Sequence, residues 1–316
     1  MDELEAVTDL INARHVHDIG VGDESVARMR MYWTEEARDL ARNNLLVVAT
    51  DGRMAAYADF GDWEPFTTSV FIFAVHPDFI GADLEEPLFD WAELRARESM
   101  ARAASGERVT LKTVFWAENT NDAERLRQRG FMMQRDWHRM MIDMTEPPAA
   151  PVWPDGIAVR TLNLESPTDI ERVQLAWEEA QRDEWGFTSL TAEDWQRSLV
   201  DYEVSFDPSL WFLAIDTVTD DIIGYVLCRW ERPGNPEHGN VRYVAVRPAH
   251  RRRGIARALL LHTFGEFFRR GKTRVDLAAD AISPTGADKL YANIGMSPFK
   301  RSHIYEKVLG DATGAV

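Results

Sequence analysis

A β-rich run, a basic glycine-containing turn and a long amphipathic segment follow one another without interruption between Val241 and Phe268. Val241-Arg242-Tyr243-Val244-Ala245-Val246 has the composition of a strand and is terminated by Pro248. Arg251-Arg252-Arg253-Gly254-Ile255-Ala256 then opens a helix predicted to run to Phe268. Peptide N–H groups at a helix start have no partners within the helix, and the helix dipole favours negative charge beside them. Such a turn is therefore an anion-binding place, and Gly254 with the small Ala256 lets a bulky phosphate group approach the backbone. Taken alone, the turn also reads as a solvated basic cap of an ordinary helix.

Composition narrows the surroundings of this turn. A chain of 316 residues with 45% apolar content has the size of two ordinary domains and can bury their cores without covalent staples. The single cysteine, Cys228, lies inside an apolar strand, so it reads as a small buried hydrophobe, and a reducing cytoplasm is expected. Met1-Asp2-Glu3-Leu4-Glu5 is acidic where a secretory signal carries positive charge, and no apolar run reaches the length of a membrane span. Net charge is −16, with 16 basic and 28 acidic side chains in residues 1–150 against 20 and 24 in residues 151–316. That balance disfavours nucleic acid, whose binding rests on phosphate neutralisation. The arginines between Arg242 and Arg257 form a local positive island suited to a small phosphorylated ligand.

A proline-rich connector, residues 147–156, separates two stretches with the same plan: 1–146 and 157–316. Leu45–Ala49 and Trp211–Ile215 are each followed by a turn and a second strand. Those second strands end in Trp63-Glu64-Pro65 and Trp230-Glu231-Arg232-Pro233. Third strands close on Val75-His76-Pro77 and Val246-Arg247-Pro248, and each stretch ends in a helix-stopping glycine, Gly130 or Gly295. His138 and His303 follow those glycines at equal distance. The recurrence reads as a duplicated domain with a mixed α/β (α+β) sheet and helices on both faces. In the second copy the expected elements are a strand at 157–161, helices at 168–181 and 191–200 and strands at 211–217, 221–231 and 240–247. A helix at 254–269, a strand at 274–279, a helix at 285–293 and two closing strands near 297–309 complete it.

A second motif, Thr285-Gly286-Ala287-Asp288-Lys289-Leu290-Tyr291-Ala292-Asn293-Ile294-Gly295-Met296, sets Tyr291 one turn before a helix-ending glycine. Periodicity alone makes Tyr291 a neighbour of the core stripe Ala287, Leu290 and Ile294. The two motifs together, spaced by a strand, resemble the GCN5-related N-acetyltransferase (GNAT) family over residues 157–309, and the repeat carries a weaker likeness over 1–146. Tandem copies are also similar in architecture to mycothiol synthase, although two copies alone do not identify a substrate. The resemblance implies two tandem acyl-CoA N-acyltransferase domains, with acetyl-CoA as co-substrate and no metal. It places the pyrophosphate on Arg251, Arg252, Arg253, Gly254, Ile255 and Ala256. Backbone groups of Val244 and Val246 would hold the pantetheine arm, the N–H near Val244 or Ala245 would meet the oxyanion, and Tyr291 would be the general acid. Ser283 stands where the family often has Asn beside the pantetheine arm, and Ala256 stands where glycine is common.

The first copy departs further. Asp78-Phe79-Ile80-Gly81-Ala82-Asp83-Leu84-Glu85-Glu86 has no arginine and several carboxylates where the basic turn should be, and the tyrosine position holds Leu126. It also begins on helical sequence, without a first strand. Residues 1–146 are thus expected to be a degenerate copy that binds no acetyl-CoA, and the fused pair to replace a homodimer, leaving a monomer.

The resemblance implies acetyl transfer to a primary amine. An amine of pKa ~10 must lose a proton first, so a carboxylate or histidine acting through water is useful. Glu184, beside Trp185 and Phe187, is the candidate base and the wall of a small-amine site, with Tyr243 as a further substrate contact. The same segment also reads as a solvated helix end over packed aromatics. Asp280 is another candidate base, His238 reads as a loop residue, and His15-Val16-His17 lacks the company of a metal site. A protein lysine or N-terminus as acceptor, or a non-catalytic acyl-CoA sensor, are the competing readings.

Overall fold

The protein was studied as a computed structural model, which describes residues 3–34, 39–187, 189–191, 195, 207–232, 235–282 and 285–312. The helix expected over 191–200 lies outside the described residues except for Thr191 and the buried, helical Trp195, and Ser283 lies outside them too.

Helices in chain order are α1 (Glu3–Ile19), α2 (Val26–Thr34), α3 (Leu40–Asn43), α4 (Glu85–Met100), α5 (Thr120–Gln128), α6 (Pro167–Gln181), α7 (Ile255–Arg269) and α8 (Ala287–Asn293). Strands are β1 (Asn44–Val48), β2 (Met54–Asp62), β3 (Thr68–Val75), β4 (Arg108–Trp116), β5 (Met132–Asp143) and β6 (Ile157–Thr161). They continue as β7 (Phe212–Asp216), β8 (Ile222–Arg229), β9 (His238–Val246), β10 (Arg274–Asp280) and β11 (Ser297–Asp311).

Two compact units result: Met1–Trp137 with Lys300–Val316, and His138–Phe299. The divisions fall inside β5 and β11 and so differ from the 1–146 and 157–316 halves read from sequence. The closing segment is one long strand rather than two, because nothing between Phe299 and Val308 supplies a turn. That strand joins the first unit, antiparallel to β4 from Ser302↔Trp116 to Asp311↔Arg108, and Tyr305 is buried in the first unit's aromatic core. Residues 138–143 of β5 belong to the second unit and lie beside β10.

In the first unit β1, β2 and β3 are antiparallel, β4 runs parallel to β3, and β11 follows β4 with the start of β5 beyond it. Phe60, Phe71, Phe89, Leu111 and Phe131 form a core under α4 and α5, while α1 covers Tyr57 and Ala74.

The second unit orders its strands β6-β7-β8-β9-β10, antiparallel except for the parallel β9–β10 pair. Helix α6 begins where Ser166 accepts the Asp169 amide at 3.2 Å, with Pro167 at the position that needs no N–H donor. It packs Val173, Ala176, Trp177 and Ala180 on Leu213, Tyr225 and Leu227 of the sheet. Helix α7 packs Leu259, Leu260, Phe264 and Phe267 on the opposite face, against Val226, Val241 and Leu277. Each of those fully buried side chains contributes roughly 1.5–3 kcal/mol before chain entropy is subtracted. The buried Cys228 sits in β8, where burial pushes its thiol pKa well up. Among the described residues, no helix is long and apolar enough to cross a membrane and no His/Cys/Asp/Glu cluster has a metal-binding arrangement.

Candidate active site

The opening in the second unit is made by two strands that start together and then part. β9 and β10 pair from His238↔Arg274 to Val241↔Leu277, and the recorded pairing ends there, while β9 continues along β8 to Val246. A bulge lies at the parting: Leu227 faces Tyr243 and Cys228 faces Val241, so Arg242 is the extra residue. Bulges bend the strand that carries them, which turns the last residues of β9 away from β10.

The ladder decides which backbone groups face that gap. Arg247 donates its N–H to the Ile223 carbonyl at 2.9 Å, which makes 223↔247 a hydrogen-bonded pair. Alternation makes Tyr225↔Ala245 hydrogen-bonded as well, while Val246 and Val244, opposite Gly224 and Val226, direct their N–H and C=O groups away from β8. The peptide groups of Val244 and Val246 therefore line the gap, and those of Ala245 are committed to β8.

The basic turn stands at the mouth of the gap. After the single 3₁₀ turn Pro248–His250 the chain passes through Arg252 at φ +64 and Gly254 at φ +85 before α7 begins. A Cβ on Gly254 would meet nothing within 4 Å, so glycine answers to the left-handed backbone angle and not to crowding. The helix has no side-chain cap, and among the described residues the amides of 252–257 have no recorded protein acceptor. Alternating backbone signs and uncapped amides give a concave array of donors at the positive end of a helix, and that chemistry fits a pyrophosphate. Ile255 offers only its amide, since its side chain is core, and Ala256 packs at the core's edge.

The three arginines of the turn divide. Arg252 and Arg253 are exposed, and Arg253 lies 3.3 Å from His250 Nδ1. Arg251 points back into the fold: Nε donates to the Val246 carbonyl at 3.1 Å, Nη2 to the Ala180 carbonyl at 3.1 Å and Nη1 to Asp183 at 2.5 Å. Arg247 likewise holds Glu179, with Nε to Oε2 at 2.7 Å.

Tyr291 lies in the short helix α8, which starts at Gly286 with φ +68 and is stopped by Gly295 with φ +91. Its hydroxyl is pushed well above the usual value, chiefly by burial and then by the negative charge of Glu184. Burial chiefly, then the neighbouring Tyr243 and Glu184, also raise the hydroxyl of Tyr225, against the opposing pull of a hydrogen bond accepted from Gln181 Nε2 at 3.4 Å. Glu184 thus sits within electrostatic reach of both phenols, one turn beyond α6, with its N–H donated to the Gln181 carbonyl at 2.9 Å. Aromatics gather next to it. Trp177 lies 5.6 Å from Phe187, 6.4 Å from Trp195 and 6.4 Å from Tyr243, measured between ring centroids. Trp185 is half-buried in the same turn, and the Trp177 indole N–H is buried with no recorded acceptor.

Asp280, the other carboxylate considered, is buried at the tip of β10 and accepts the Ile282 amide at 2.9 Å. His238 is not a loop residue. It opens β9, buried, with Nδ1 3.1 Å from the wholly buried Asp276, which also accepts from Asn240 Nδ2 at 2.8 Å. Sequence reading took it for a loop because Pro236 precedes it, whereas a buried carboxylate on the neighbouring strand supplies its partner. His15 lies in α1 with Nδ1 2.8 Å from Asp23. Sequence reasoning missed Tyr225 and Trp177. Trp177 was within reach, since it lies two helical turns before Glu184 on α6, but Tyr225 carries no sign of its neighbour across the sheet.

The acetyltransferase (GNAT) family model matches residues 174–296, the stretch that contains the gap, the turn and Tyr291. A mycothiol acetyltransferase of Thermobispora bispora is 30% identical over 260 residues, covering 79% of this chain and 80% of that protein. The crystal structure of a GCN5-related N-acetyltransferase from Sphaerobacter thermophilus is 34% identical, with a TM-score of 0.83 over 98% of this chain and 94% of that one. A tandem GNAT protein from the clavulanic acid biosynthesis pathway shares the fold at 17% identity, with a TM-score of 0.73 over 98% of this chain and 96% of its own. With the geometry of β9 and its turn, these likenesses establish that the chain belongs to the GCN5-related N-acetyltransferase family, whose co-substrate is acetyl-CoA, and that it is an N-acetyltransferase of tandem architecture.

Proposed function

We propose that this acetyltransferase moves an acetyl group from acetyl-CoA to the primary amine of a small molecule, using the site built within residues 157–296. The observation that carries the reading is the shared locality of Glu184 and the buried hydroxyl of Tyr291. Acetyl-CoA supplies an activated thioester. The uncapped amides of 252–257 with Arg252 and Arg253 hold its phosphates, and the peptide groups of Val244 with the N–H of Val246, whose carbonyl Arg251 holds, align its arm. The Val244 N–H, freed from β8 by alternation, is available to negative charge developing on the acyl oxygen. Tyr291 keeps its proton at every working pH because burial and Glu184 oppose its ionisation, so it remains a donor until a thiolate forms beside it. Glu184 favours a cationic amine in its neighbourhood and, through water, accepts the proton that the amine must lose. Tyr243, Trp177, Phe187 and Trp185 give that amine an aromatic wall.

The curated relative is named for a small molecule, which supports a small acceptor over a protein lysine or N-terminus. The first unit supports no second acetyl-CoA site. Its β3 also parts from β4 beyond Phe71↔Thr113, but Phe73 and Phe115 pack in that region, with Phe115 stacked on Tyr305 at 5.2 Å. Arg14 directs Nη1 at the Val75 carbonyl and bonds Asp122 at 2.9 Å, while the start of α4 carries Glu85 and Glu86. Arg125 and Arg129 are already bound to Asp83 and Glu86. Leu126, at the tyrosine position, is core.

The test is thiol release from acetyl-CoA in the presence of tyramine, spermidine, glucosamine and an amine-bearing thiol, with lysine peptides as the contrasting arm. Acetylation of a small amine supports the reading. Turnover confined to peptides, or CoA binding without turnover across the panel, overturns it.

A further inference from the structure

The first arginine of the basic turn is engaged by the protein itself. Arg251 Nε holds the carbonyl of Val246, the last residue of β9. Its Nη2 and Nη1 hold Ala180, in the last turn of α6, and Asp183, just beyond it. The next residue is Glu184, whose amide is in turn tied to the Gln181 carbonyl and whose carbonyl accepts the Phe187 amide at 3.2 Å. A guanidinium fork is planar and rigid, so three bonds in three directions fix the distance between strand and segment as one ammonium cannot. The side chain is only 26% exposed, against the open Arg252 and Arg253 that follow it.

We propose that Arg251 is a positioning residue, a strut between the strand that aligns the thioester and the segment that carries Glu184, and not a ligand of the pyrophosphate. This rests on the acetyl-CoA reading above and refines it. Without the strut, the segment loses its tie to the end of β9, although Gln181 still donates to Tyr225, Phe187 still packs on Trp177 and Arg247 still holds Glu179. Glu184 is then held less firmly near Tyr291, while the amides of 252–257 are untouched, because their geometry follows from Arg252 and Gly254 at positive φ. The consequence is a separation of effects within a run of three identical residues: the first governs the acceptor side, the second and third govern CoA.

The experiment compares Arg251→Lys and Arg251→Gln with the double variant Arg252→Ala/Arg253→Ala in the full chain. Titration calorimetry with CoA is expected to give a Kd for both Arg251 variants within about twofold of wild type, which also shows that they fold. The double variant should weaken CoA tenfold or more. Hydrogen exchange of peptides spanning 178–187, with CoA bound, should be about tenfold faster in Arg251→Lys than in wild type, and unchanged in the double variant. With the best amine of the panel, kcat/KM for the amine should fall 10- to 100-fold in Arg251→Lys at saturating acetyl-CoA. A tenfold loss of CoA affinity in Arg251→Lys, or unaltered exchange over 178–187, overturns the strut. Failure of the wild-type protein to bind CoA would instead overturn the underlying reading of the turn.

Discussion

Tyr291 shows how one residue changes meaning with its surroundings. Its side chain belongs to the core that α7 shares with β9 and β10, as helical periodicity indicated, and its hydroxyl nevertheless feels the charge of Glu184 from another segment. A phenol so placed resists ionisation, so removing its oxygen should leave packing and CoA affinity nearly unchanged and act on the chemical step. Tyr291→Phe is expected to lower kcat about 10- to 100-fold with the Kd for CoA within twofold, checked by steady-state kinetics across pH 6–9 and by calorimetry. A wild-type kcat throughout that range removes Tyr291 from the mechanism. Gly254 makes the complementary point. The space around it is open, so only its φ of +85 requires glycine, and any other side chain there carries roughly 1–2 kcal/mol of backbone strain into the anion-binding turn.

At the scale of elements, α7 is fixed at both ends by different means. Its start is left uncapped, whereas its end is clamped by Glu266, which accepts from Arg269 Nη2 at 2.7 Å and Arg270 Nε at 2.5 Å. Arg270 also reaches Asp207 at 2.7 Å. Those donors, Arg269 first, hold the Glu266 carboxyl at about 2, below its ordinary 4.5. A folded pKa below the unfolded one means that the stabilisation is complete above about 4.5 and is lost as pH falls toward 2. Because Arg269 is 70% exposed and water screens the pair, Glu266→Gln should cost only ~1 kcal/mol at pH 7. Urea unfolding at pH 7, 5, 4 and 3 checks the sign: the gap between wild type and variant should hold from 7 to 5 and shrink below 4.5. A gap that widens in acid contradicts the clamp.

For the whole molecule, the repeated plan is proposed to carry one working site. The first unit has a comparable parting of parallel strands, but aromatic rings pack there and ion pairs surround its helix start. Calorimetry should therefore find one CoA per chain, and two would show that the first unit binds as well. No single residue decides that stoichiometry: several carboxylates, several arginines and three aromatics act together in the first unit.

Local rules were enough for much of this. Three arginines and a glycine between a strand and a helix gave the turn its charge and its backbone angle, and the helix expected over 168–181 forms as α6, one residue longer at its start, because propensity and left-handed φ are settled within a few residues. The sequence also carried the family likeness and the duplication, through spacing. It did not carry the exchange of chain ends, in which β11 leaves its own copy to pair with β4, since strand pairing is chosen by burial across the sheet and Tyr305 finds its place only in the assembled core. Nor did it separate Arg251 from Arg252 and Arg253, or choose between the N–H groups of Val244 and Ala245. Identical or similar neighbours in the chain differ there only by which carbonyl, carboxylate or strand lies opposite them, and that is settled by tertiary contact alone.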